Sequence, residues 1–174
     1  MARAQADDEA DFRNYAAARM AALRRTAYLI CGDWHLAEDA VSTALTKAYV
    51  AWHRIRRADS VDAYVRRMMV HAIVDERRRP WRREAPTEYP LPDTAAAPTE
   101  ALHDRIVLRQ ALARMPPRRR AVLVLRFFEG LSVEETAAAM GSSTGTVKSQ
   151  TARALAALRD LLPDDYLVRE GGGL

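Results

Sequence analysis

A chain of 174 residues that is 49% apolar but holds only three phenylalanines suits one or two small helical bundles and argues against a thick β-sandwich. Its single cysteine excludes an internal disulfide and a cysteine-based zinc cluster, and its four histidines show no metal-ligand spacing. The formal net charge is +4 and is segregated: Lys and Arg outnumber Asp and Glu in residues 1–83 and 101–174, whereas every charge in 84–100 is acidic, a balance that favours an anionic partner.

The opening stretch, MARAQADDEAD, lacks the apolar core of a signal peptide, and no apolar run is long enough to span a bilayer, so a cytoplasmic protein is expected. Residues 1–10 are expected to fray. Phe12, Ala16, Met20, Leu23, Ala27 and Ile30 then recur at helical spacing and stop near Gly32, with Cys31 a small core residue at the end. Asp33 can cap a second helix striped by Leu36, Ala40, Val41, Ala44, Leu45, Ala48, Tyr49 and Trp52. Glu38 and Asp39 in its first turn and Arg54 near its end match the helix dipole. Ser60 can cap a third helix carrying Val61, Tyr64, Val65, Met68 and Ala72, with Arg67, His71 and Arg78 together on its flank. Pro80 should break that helix, because proline lacks the N–H and clashes with the preceding turn.

Residues 84–100 contain four prolines and no stripe, which reads as an extended linker between a domain at 1–83 and a second at 101–174. Leu102, Ile106 and Leu112 mark the next helix. Pro116-Pro117 breaks it, the run from Ala121 to Phe128 is expected to be buried, and Gly130 ends that segment. The fold class expected is all-α, two small helical domains.

Residues 131–158 have the pattern of a DNA-reading helix-turn-helix. Ser132 and Glu135 form an S-x-x-E capping box, Gly141 permits the turn, and Ser143 can cap the second helix. Val147, Ala154, Leu158 and Leu161 line one face of that helix, and Lys148, Ser149 and Arg153 the other, near the end where a recognition helix meets base edges and phosphates. The competing reading is an ordinary core hairpin. Upstream, Arg77, Arg78, Arg79, Arg82 and Arg83 surround Trp81; guanidinium groups pair with phosphates and an indole packs on sugar or base, although the same run also suits a solvated helix end. No carboxylate pair, nucleophile–base pair or phosphate loop marks a catalytic site, and no cofactor is expected.

The sequence L-S-x-E-E-x-A-x-x-M-G-x-S-x-G-T-V-K-S at Leu131 to Ser149 resembles region 4 of bacterial sigma factors, specifically the two-domain extracytoplasmic-function class. A-E-D-A-V at Ala37 to Val41 and residues 60–83 resemble region 2 of the same class, and GTVKSQT with RRRPWRRE is similar to an actinobacterial-type subgroup. The resemblance implies a factor that binds core RNA polymerase, directs transcription initiation by recognising the −35 and −10 promoter elements, and has no catalytic activity. It implies −35 contacts at Arg126, Lys148, Ser149 and Arg153, with Gln150 where arginine is frequent. On the −10 side it implies strand contacts at Arg67, His71, Arg78, Arg79 and Arg82. His71 stands where many members have asparagine, and Tyr64 where many have tryptophan. It implies polymerase contacts at Asp39, Ser42 and Thr43, where the common pair at the last two positions is Gln-Glu. Core polymerase, promoter DNA and an anti-sigma factor are the partners implied, with no membrane and no small-molecule substrate. Two rivals keep their own tests: a stand-alone helix-turn-helix regulator, which needs a dimerising or ligand-sensing first domain, and a recombinase-type enzyme, which needs a strand-bearing catalytic domain.

Overall fold

Gly32 ends the first helix at φ 73°, a left-handed conformation that costs glycine nothing, and its N–H donates to Tyr28 O at 2.7 Å. Asp33 follows as N-cap of the second helix, its carboxylate accepting from the Leu36 N–H at 2.9 Å. The computed structural model describes residues 2–57, 60–76 and 99–163. Within them α1 spans Ala2–Cys31, α2 Trp34–Ile55, α3 Val61–Glu76, α4 Thr99–Ala113, α5 Pro117–Leu123, α6 Val133–Met140 and α7 Thr144–Arg159. A π-helical turn, Val124–Phe128, continues α5. No strand occurs among the described residues.

Helices α1, α2 and α3 form a bundle whose interior is unusually rich in small side chains: Ala27 of α1 and Ala37, Ala40, Ala44, Ala48 and Ala51 of α2 are all buried. Trp52 closes one end, its ring edge-on to Phe12 at 5.2 Å and tilted against Tyr15 at 5.5 Å. On α3 the fully buried residues are Val65, Met69, Val70 and Ile73. The expected stripe captured only Val65 of these, because α3 is covered on two sides, by α2 and by α6.

Two further expectations are corrected. Residues 2–10 are helical rather than frayed, since Asp8 and Asp11 both pair with Arg56 at the end of α2, at 2.9 and 3.4 Å. The run from Ala121 is buried only as far as Leu125; Phe127 and Phe128 are 59% and 51% exposed. The π turn accounts for this. Glu129 N–H reaches back five residues to Val124 O at 2.9 Å, which rotates the last two aromatics out of the buried register.

The second half does not stand apart from the first. Ala121, Val122, Val124, Leu125, Leu131, Ala139 and Met140 share one buried cluster with α1–α3. A smaller cluster of Met115, Leu123 and Ala154, flanked by Leu112, Leu158 and Leu161, seats α7 on α4 and α5. The expected linker lies outside the described residues except for Thr99 and Glu100, which open α4.

Candidate nucleic-acid interface

Local hydrogen bonds fix the α6–α7 hairpin before any long-range packing is considered. Glu135 N–H donates to Ser132 Oγ at 3.0 Å, and Ser132 N–H donates to Glu135 Oε2 at 2.7 Å, a complete capping box. The Ser132 N–H bond first, and then the Ser132 hydroxyl beside the carboxylate, hold the Glu135 carboxyl below the usual carboxylate range. Gly141 turns the chain at φ 59°, and Ser143 caps α7 by accepting from Thr146 N–H at 3.1 Å.

Helix α7 buries Val147 and Ala154 and leaves Lys148, Ser149 and Arg153 exposed on its outer side. Ser149 Oγ donates to Thr146 O at 3.0 Å, so its hydroxyl is held against the helix with its oxygen still able to accept. Gln150 differs from these three. It is half-buried and its amide oxygen is enclosed by protein, on the flank of the helix rather than its outer face.

Arg126 lies in the π turn, half-buried, where its Nη1 donates to Leu131 O and its guanidinium stands 6.0 Å from the Phe127 ring centroid. It thereby ties the π turn to the residue that precedes the capping box. On α3, Arg67 is exposed, whereas His71 is half-buried against the hairpin turn: a Cβ on Gly141 would lie 3.0 Å from His71 Nε2. Arg78, Arg79 and Arg82 lie outside the described residues, as does Trp81. Asp39, Ser42 and Thr43 are all exposed on α2, at spacings that place them on one face. Ser42 also lines a groove of about 470 Å³ between α1 and α2, with Phe12, Met20, Leu45 and Tyr49 on its walls.

Three polar groups carry structural weight that the sequence pattern did not reveal. Arg120 is 3% exposed and donates through Nη2 to Met115 O at 3.0 Å and to Ala113 O at 3.3 Å, tying the ends of α4 and of the loop to α5. Glu129 accepts from the Thr26 hydroxyl of α1 and faces Arg66 Nη2 of α3 at 3.6 Å. Asp62 accepts from Tyr15 at 2.8 Å and pairs with Arg19; burial first, and then this hydrogen bond, push the Tyr15 phenol up. The only advance signal for Arg120 was an arginine entering an apolar run.

Sigma-70 region 2 matches residues 16–83, and Sigma-70, region 4 matches residues 105–158. An RNA polymerase sigma-E factor of Streptomyces avermitilis is 41% identical over 153 residues, which cover 87% of this chain and 85% of the relative. The chain belongs to the extracytoplasmic-function sigma factors of RNA polymerase. The sigma factor SigM of Mycobacterium tuberculosis, of the same class, is 35% identical over 143 residues, covering 80% of this sigma factor and 71% of the relative. In fold it is similar to RpoE of Bartonella quintana, solved with the anti-sigma factor NepR, at a TM-score of 0.71 and 23% identity, covering 87% and 96% of the two chains. It is also similar to CnrH, solved with the cytosolic domain of CnrY, at a TM-score of 0.64 and 22% identity, covering 92% of each. The function of this sigma factor is promoter-directed initiation of transcription. No helix among its described residues is long and apolar enough to cross a membrane.

Proposed function

We propose that this sigma factor divides its work along the chain, with a polymerase-binding and −10-reading part at 1–83, a tether at 84–100 and a −35-reading part at 101–174. Helix α2 presents Asp39, Ser42 and Thr43 to core RNA polymerase. Helix α7 enters the major groove of the −35 duplex, where Arg153 and Ser149 meet base edges and Lys148 meets phosphate. Arg67 and His71 of helix α3, together with Arg78, Arg79 and Arg82 of the basic run that follows in the sequence, hold the unwound −10 strand. Unpairing costs a few kcal/mol per extruded base, which stacking and phosphate contacts have to offset. Gln150, on the flank of α7, and Arg126, which braces the entry to the hairpin through Leu131 O, add contacts to the same DNA from the edge of this face.

The observation that carries this reading is the outer face of α7: a doubly capped hairpin leaves Lys148, Ser149 and Arg153 exposed together, with the apolar side seated on α4 and α5. The protein has no catalytic activity of its own, works in the cytoplasm at the nucleoid, and has an anti-sigma factor as a further partner. The solved relatives of similar fold, each captured with a second protein, support the last point.

Transcription in vitro with purified core polymerase tests the reading. Addition of the protein should confer initiation at specific promoters, while the protein alone binds promoter duplex weakly, because each part offers few phosphate contacts and gains from tethering only when both sit on one polymerase. Tight, sequence-specific binding by the isolated protein, with no promoter-specific initiation, would favour a stand-alone regulator.

A further inference from the structure

Two of the three phenylalanines of the chain stand side by side in the π turn, Phe127 and Phe128, with most of their surface in water. The third, Phe12, packs on Tyr49 and Trp52 with ring centroids 5.1 and 5.2 Å away. Two adjacent exposed rings forgo the stabilisation that burial of a phenyl group normally supplies, and such a patch marks a contact surface. The flanking charges distinguish the two rings. The Glu129 carboxylate is taken up by Thr26 and Arg66. The Arg126 guanidinium stands 6.0 Å from the centroid of the Phe127 ring, so that ring carries a cation at its side. Phe128, the next residue on the turn, points in another direction.

The bond from Arg126 to Leu131 O fixes where the Phe127 ring lies. Leu131 precedes Ser132, the N-cap of α6, so the ring borders the start of the hairpin's first helix. In a helix-turn-helix that first helix crosses the backbone of the duplex whose groove the second helix enters. A ring with a cation beside it matches that backbone, in which each apolar deoxyribose is followed by a phosphate. An apolar protein surface matches it poorly, because covering the patch would take the guanidinium out of water with no anion to pair it.

We infer that Phe127 is a backbone clamp for the −35 duplex: its ring packs on a deoxyribose at the edge of the element while Arg126 pairs with the neighbouring phosphate. The inference rests on the reading of the α6–α7 hairpin as the −35 module and adds a residue to it. Contacts with sugar and phosphate fix the register and orientation of a protein on its duplex and carry no sequence information. The phosphate part weakens with salt, because it works by releasing counterions, whereas the ring releases none. Phe127 therefore holds the duplex against α7 at ionic strengths that weaken Lys148 and Arg126.

Holoenzyme assembled from core polymerase and the full chain carries the test, on promoters drawn from a library of randomised −35 elements. Phe127→Ala should weaken promoter binding by about fivefold, the scale of uncovering roughly half of a phenyl ring, with the slope of affinity against salt unchanged. Hydroxyl-radical cleavage, which attacks the deoxyribose itself, should show lost protection at the edge of the −35 element and full protection elsewhere. The ranking of −35 sequences should stay as it is. Phe127→Tyr keeps the ring and should keep both affinity and footprint. Phe128→Ala removes an equally exposed ring and should change neither. An unchanged footprint in Phe127→Ala overturns the clamp, as does an equal loss in Phe128→Ala. Weaker binding of Phe127→Ala to core polymerase without DNA overturns it in favour of a protein contact, and a reordered ranking overturns it in favour of a base contact. Failure of the underlying reading of the hairpin shows elsewhere: Lys148→Ala and Arg153→Ala would then leave −35 affinity and footprint intact, whatever Phe127→Ala does.

Discussion

Ser132→Ala isolates the capping box from everything around it. Ser132 and Glu135 are both exposed, so the substitution removes no buried surface and creates no cavity. It does remove the acceptor for the Glu135 N–H, one of the first amides of α6 that has no intrahelical partner. Loss of such a cap costs about 1 kcal/mol, within a range of roughly 0.5–2. Helix α6 has eight residues, barely two turns, so it has little propagation to offset a weakened start. With a slope of about 2 kcal/mol per molar urea, the unfolding midpoint should fall by about 0.5 M. Hydrogen exchange should show the loss at the amides of Glu135 and Thr136. Acidity separates the two halves of the box. The folded pKa of Glu135 is depressed, so its contribution is present above the ordinary carboxylate value of 4.5 and is lost as pH falls through the folded value. Ser132→Ala retains the backbone N–H bond, the larger cause of that depression, and should therefore lower stability at every pH while keeping the acid-side drop. Glu135→Gln should remove this residue's share of that drop. An unchanged midpoint in Ser132→Ala, together with unchanged exchange at Glu135, would refute the assignment of the cap as the element that starts α6.

Arg153→Ala should relax preference at one −35 base pair by about 1–3 kcal/mol of discrimination, whereas Lys148→Ala should weaken all sequences alike and reduce the salt slope by roughly one phosphate contact; transcription from randomised −35 elements and binding across a salt series read the two. Gly141→Ala combines a left-handed backbone with a Cβ placed 3.0 Å from His71, so thermal unfolding should show a loss of at least about 1–2 kcal/mol, the cost of the conformation alone. Replacing Arg78, Arg79 and Arg82 together by alanine should weaken strand opening, read by permanganate, more than closed-complex binding; equal effects on both steps would assign the run to general phosphate affinity.

What could be read from the chain in advance was what neighbouring residues settle among themselves. Ser132 with Glu135, Gly141, and Ser143 are within a turn of the groups they serve, so their spacing already contains the geometry. The stripe of Val147 and Ala154 is equally local, as is the outward face of Lys148, Ser149 and Arg153. What could not be read depends on partners far along the chain. Asp8 is helical because Arg56 reaches it, and the spacing of residues 1–10 alone offers no trace of that pair. His71 is covered by a turn 70 residues away. Arg126 was read only as a −35 contact, and only the position of Leu131 O shows that its side chain also braces the hairpin. Phe127 and Phe128 look like core in a 3.6-residue periodicity, and a five-residue hydrogen bond places them in water.

The alanine-lined interior of the first bundle has an evolutionary consequence. An alanine at a helix contact has almost nothing to lose by truncation, whereas any enlargement forces neighbouring backbones apart at a typical cost of 1–3 kcal/mol. The interior therefore sets a ceiling on size at Ala37, Ala40, Ala44, Ala48 and Ala51. Between these sealed positions Glu38, Asp39, Ser42, Thr43, Thr46 and Lys47 look outward. Apart from Glu38, which pairs with Arg24 of α1, their side chains lie outside the buried core, so the surface assigned to polymerase can be rewritten one residue at a time while the scaffold stays fixed. Exchange of Ser42 or Thr43 for a longer polar side chain is the kind of change that such a scaffold lets pass.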